Sequence, residues 1–205
     1  MDVIEGGFAR ASAGDFEALK LMAKQGLRAE LCSMARANLA DIDAVAECGA
    51  ESVHLVVPTS DIHLQHKLRM GRPEVLDLAV KCVEHAKSRG LVVELSAEDA
   101  SRADVEFLRE FARRGAEAGA DRICLCDTVG VLTPERAEWL VSRVAEVVRA
   151  PISIHCHDDF GMAVANSIAA LRAGATQVHV TVNGIGERAG NAALEEVAMS
   201  LICLY

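Results

Sequence analysis

Seven short runs rich in apolar and β-branched residues recur along this chain, each followed by a longer stretch of helical period. The runs are DVIE (2–5), AELCSMA (29–35), SVHLVV (52–57), LVVELS (91–96), RICLCD (122–127), ISIHCH (152–157) and QVHVTV (177–182). Between them, stretches such as SRADVEFLREFARRGAEAGA and TPERAEWLVSRVAEVVRA repeat apolar residues at spacings of three and four. Near-continuous apolar strands joined by helices predict a parallel sheet covered by helices, either open and doubly wound or closed into a (β/α) barrel.

The polar residues separate these two. They gather at the carboxyl ends of several strands: Glu98 and Asp99, Asp127 and Thr128, His155 to Asp159, and Asn183 to Asn191. A barrel assembles its site from many strand ends, whereas an open sheet has one crevice where its strand order reverses. The predicted fold is therefore α/β, a TIM-barrel type (β/α)8 with seven of its eight βα units present. With 205 residues, 51% of them hydrophobic, one domain over residues 1–205 is expected, and no linker tract divides it.

Charge and composition narrow the function. A formal charge of -9, with its basic residues scattered, gives no footprint for nucleic acid. MDVIEGGFAR lacks the basic and apolar parts of a secretory signal, and no apolar run approaches the roughly 20 residues that cross a bilayer as a helix. A cytoplasmic protein with no membrane partner is expected. The seven cysteines, an odd number, sit mostly inside apolar runs, as small buried thiols do. Cys124 and Cys126 are one residue apart, the wrong gap for the usual zinc pair, and are read as core packing.

His155 and His157 carry the clearest chemistry. Residues two apart on a strand share a face, so both imidazoles point one way, inward, while Ile152, Ile154 and Cys156 face the helices. Two converging imidazoles suit a divalent metal of the first transition row, although two hydrogen-bonded core histidines fit the same pattern. Adjacent Asp158 and Asp159 favour a site, because inward charges need partners. In NGIGERAGNAALEEV (183–197) the glycines resemble a dinucleotide loop, but the position is wrong for one. They are read as a tight turn that aims Glu187 and Asn191 at the strand ends. Ser96 and Glu98 share a face, and Thr128 and His54 sit near the same rim; each of these is also compatible with a structural role.

The segment HCHDDFGMAVANSIAALRAGATQVHVTVNGIGERAGNAALEEV resembles the signature region of the 2-isopropylmalate, citramalate and homocitrate synthases, enzymes with a pyruvate-carboxyltransferase-type barrel. DVIEGGF, LCSMARA, PTSDIH, ELSAEDASR and CDTVGVLTPE are similar to successive strand ends of the same family, so the likeness runs through the chain. GIGERAGN is like the synthases rather than the related lyases. The resemblance implies that His155, His157 and Asn191 ligate a divalent metal (Mg, Mn or Zn). It also implies that His54, Ser96 and Thr128 line a 2-oxo acid, that Glu98 is an acid–base or positioning carboxylate, and that Glu187 lies near the co-substrate acetyl-CoA. A homo-oligomer is expected. The chain departs from that family at its start, where a strand with an Asp-x-Thr-x-Arg-Asp-Gly type motif should supply a further metal ligand and an arginine. A fragment or late start of a complete synthase is the favoured account, ahead of a strand borrowed from another chain or a degenerate relative.

Overall fold

The computed structural model describes residues Met1–Tyr205. Its seven strands are β1 (Val3–Phe8), β2 (Glu30–Arg36), β3 (Ser52–Pro58), β4 (Val92–Glu98), β5 (Arg122–Asp127), β6 (Ile152–Cys156) and β7 (Gln177–His179). They form one sheet in the order β1 to β7, every pair parallel. The helices are α1 (Ala13–Ala23), α2 (Leu39–Cys48), α3 (Asp61–His63), α4 (Arg72–Ser88), α5 (Val105–Glu117), α6 (Pro134–Ala145), α7 (Ala163–Arg172) and α8 (Leu194–Cys203). A π-helical turn, Leu64–Leu68, continues α3. No helix is long and apolar enough to cross a membrane.

Local chemistry explains where the helices begin. Asn38, Asp104 and Thr133 each accept a backbone N–H from three residues on, those of Asp41, Phe107 and Arg136, and so cap α2, α5 and α6. At α4, Pro73 lies in the first turn, where its missing N–H costs nothing, and the Glu74 carboxylate accepts the Gly71 N–H at 2.6 Å.

Register then decides what each strand shows to each side. In β6, Ile152, Ile154 and Cys156 join the apolar cluster that also contains Val141, Val144 and Ala170 of the covering helices. Ser153, His155 and, just beyond the strand, His157 take the alternate side. A slip of one residue would exchange the two sets. The sheet curls around that alternate side, because strands that are not neighbours meet across it. Arg122 of β5 reaches Glu30 of β2 at 2.5 Å, Gln177 of β7 donates to Glu94 of β4 at 3.1 Å, and the rings of His54 on β3 and His179 on β7 lie 5.3 Å apart. The result is a barrel wall of seven strands, open between β1 and β7.

Cys124 and Cys126 are buried, as expected, and turn into the barrel with Arg122 rather than toward the helices. One sequence expectation changes. The seventh strand stops at His179 rather than running to residue 182, because Thr181 leaves it to bridge Ala193 and Asn183 adopts a left-handed conformation at φ 59°.

Candidate active site

The two histidines of β6 meet at their tips. His155 Nε2 and His157 Nε2 are 3.2 Å apart, and both Nδ1 atoms are buried without a protein partner. Burial above all, then the neighbouring His179 and His157, pushes the His155 imidazole well below its usual pKa, which keeps it neutral. Asn191 arrives beside them through an antiparallel bridge between His157 and Asn191, and its side-chain Oδ1 is buried and unpaired.

The glycines of the loop make that approach possible. Gly190 sits at φ 103°, where a side chain would be strained and would run into the Gly184 carbonyl oxygen. A Cβ on Gly186 would lie 2.8 Å from the Asn191 amide atoms. Asp158 and Asp159 do not join the imidazoles. Asp158 accepts the Ala163 N–H at the start of α7, and Asp159 forms a two-pronged ion pair with Arg188. The charges beside the His-x-His pair thus brace the surrounding loops.

The remaining predicted residues take distinct positions. His54 is buried, and its Nδ1 lies 2.6 Å from Glu5 Oε2. Burial would lower this imidazole, but the Cys126 sulfur and the Glu5 carboxylate outweigh it and hold His54 well above its usual pKa. Ser96 is fully buried with an unpaired hydroxyl. Thr128 Oγ1 accepts the Asp99 N–H at 2.8 Å, which leaves its own proton free to donate. Asp127 accepts the N–H groups of Val131 and Leu132, both at 3.0 Å, and ties the loop after β5. Glu98 is held by Lys67 Nζ at 2.7 and 2.8 Å and faces His63 at 3.1 Å, so its carboxylate lies between two basic groups. Glu187 is the exposed member: 78% of its side chain is accessible, and Oε2 stands 3.8 Å from His157 Nε2.

Four residues at this face escaped the sequence reading: Glu5, His63, Glu94 and His179. Glu94 and His179 share the inward parity of Ser96 and Glu98 and of Thr181, which was a usable signal. Nothing local marks Glu5 or His63, since their partners lie 49 and 35 residues away.

The donor set fits a divalent metal. Two imidazole nitrogens 3.2 Å apart, one of them held neutral, are borderline ligands, and the buried, unpaired amide oxygen of Asn191, whose backbone bridges His157, is a hard one; the set suits zinc, manganese or a similar ion.

Comparison with known proteins assigns the chain to a family. The chain matches the HMGL-like family over residues 1–204. It belongs to that family. Among HMGL-like relatives, the (R)-citramalate synthase of Methanocaldococcus jannaschii is 58% identical over 205 residues, covering 100% of this chain and 42% of the relative. A protein of Methanothermobacter thermautotrophicus, provisionally named for the same activity, is 60% identical over 204 residues, again 100% of this chain and 41% of the relative. The chain therefore spans about two fifths of the length of these curated relatives. The crystal structure of hydroxymethylglutaryl-CoA lyase from Pseudomonas aeruginosa superposes with a TM-score of 0.87 at 26% identity, over 100% of this chain and 74% of the lyase. The HMGL-like fold and its parallel strand order are thus shared with a solved barrel.

Proposed function

We propose that this HMGL-like chain is the catalytic barrel of a cytoplasmic enzyme that condenses acetyl-CoA with a 2-oxo acid, pyruvate being the favoured acceptor. The observation that carries this reading is the pair of His155 and His157 Nε2 atoms converging beside Asn191 at the strand ends. The choice of pyruvate follows the names of the relatives with 58% and 60% identity along the whole chain.

His155, His157 and Asn191 would hold a divalent metal, which when bound supplies Lewis acidity to a keto oxygen. The Thr128 hydroxyl, with its proton free, donates to the substrate carboxylate, and the buried Ser96 hydroxyl and His54 line the same face. Glu98, fixed between Lys67 and His63, is suited to positioning. Glu187 has the freedom to reach the acetyl methyl group and remove its proton, the geometric requirement for a base. The resulting carbanion attacks the keto carbon, and water cleaves the thioester to release the CoA thiol.

Two measurements test the reading. Pyruvate-dependent release of CoA thiol from acetyl-CoA, followed by thiol trapping, supports it; thiol release that ignores pyruvate, or none, overturns it. Manganese, which favours nitrogen and oxygen over sulfur ligands, is expected after chelation to raise the thermal midpoint of the protein, and the His155→Ala/His157→Ala variant is expected to lose that rise. A second reading, a lyase, is favoured by the superposition on hydroxymethylglutaryl-CoA lyase. It predicts carbon–carbon cleavage of an acyl-CoA without free thiol.

A further inference from the structure

Beside the two histidine tips, and reaching into the layers of the barrel below them, a second set of donors converges. Glu94 of β4, Cys124 of β5 and His179 of β7 bring one carboxylate oxygen, one sulfur and one imidazole nitrogen within 4.8 Å of one another. Glu94 Oε1 lies 2.8 Å from His179 Nε2, and Cys124 Sγ lies 3.8 Å from Cys126 Sγ. We infer that Glu94, Cys124 and His179 form a second cation site, for a thiophilic divalent ion such as zinc, with Cys126 placed to add a second sulfur.

Geometry and charge converge on this. A tetrahedral zinc with sulfur bonds of about 2.3 Å sets two thiolates about 3.8 Å apart, which is the spacing of Cys124 and Cys126. Nitrogen and oxygen ligands at about 2.0–2.1 Å stand about 3.3 Å apart around the same ion. The Glu94–His179 contact need open by only about 0.5 Å as the ion replaces the shared proton.

The charges also balance. Arg122, 3.5 Å from Glu94, is already paired with Glu30, so the Glu94 carboxylate and one thiolate remain to neutralise a dication. Ser96 and Ser153, both fully buried, line the same layer. The site shares no ligand with His155 and His157, although His179 and His155 are register partners with ring centroids 5.5 Å apart.

Cobalt(II) is the probe. Cys203, the one exposed cysteine, is first replaced in a Cys203→Ser background so that adventitious surface thiolate is absent. After chelation and titration with Co2+, a near-ultraviolet sulfur-to-cobalt absorption is expected. The band should vanish in Cys124→Ser and persist in His155→Ala/His157→Ala. Zinc content, measured by mass spectrometry of the dialysed protein, should fall by one equivalent in Cys124→Ser. The absence of a sulfur band in the Cys203→Ser protein itself overturns the site whether or not the other variants fold. A band that survives Cys124→Ser but is lost in Cys126→Ser overturns the ligand assignment. A band lost only with His155 and His157 assigns the sulfur to the upper site and overturns the proposal as well.

Discussion

Asp127 and Asp41 show how single carboxylates in this chain are committed to backbone. Asp127 is fully buried and accepts two N–H groups of the loop after β5, one on each oxygen. Asp127→Asn keeps the shape but turns one acceptor into a donor facing an N–H. It is expected to lower stability by about 1–3 kcal/mol, the cost of leaving a buried polar group unsatisfied, in chemical denaturation. Asp41, at the start of α2, is buried beside Arg36. Burial alone would raise its carboxyl, yet the Arg36 side chain and backbone N–H and Asn38 outweigh that and hold it below 3.8. The unfolded chain thus binds this proton more readily than the folded one. The stabilising contribution is complete above the unfolded value and is lost as pH falls through the folded one. Thermal midpoints measured downward from neutral pH should drop more steeply below about pH 4 in the wild type than in Asp41→Asn.

Helix α5 shows the same closeness between elements. It packs on β4 through Gly115, where an added Cβ would strike the Leu95 side chain, itself fully buried. Gly115→Ala should gain about 1 kcal/mol of helix propensity. The overpacking penalty of about 1–3 kcal/mol works against that gain. A net loss of stability is expected, restored in part by the compensating Leu95→Val; a more stable Gly115→Ala would show that the helix shifts freely. At this scale most of the architecture was legible. Strands β1 to β6 fall within two or three residues of the predicted runs, because each combines an apolar helix-facing set with turn residues at its ends. The end of β7 was not legible, since Val180 and Val182 look like strand while the pairing of Thr181 with Ala193 bends the chain away.

At the scale of the whole sheet, residues 1–205 leave one edge of β1 and one edge of β7 unpaired within this stretch. A polypeptide of residues 1–205 alone is expected to self-associate with concentration in light scattering, and a constant monomer mass over a hundredfold range would refute it. The sequence by itself determined the parallel α/β architecture and the side to which His155 and His157 turn. Both follow from period, and a pleat of two residues fixes the face of every side chain without reference to the rest of the fold. Only the tertiary structure decided which inward residues meet. Glu5 pairs with His54 across 49 residues, Glu94 with His179 across 85, and Asp158 and Asp159 turn to the loops rather than to the imidazoles. Those meetings depend on how far the sheet curls and how the loop from Asn183 to Asn191 folds back, and both are settled by packing between segments distant in the chain.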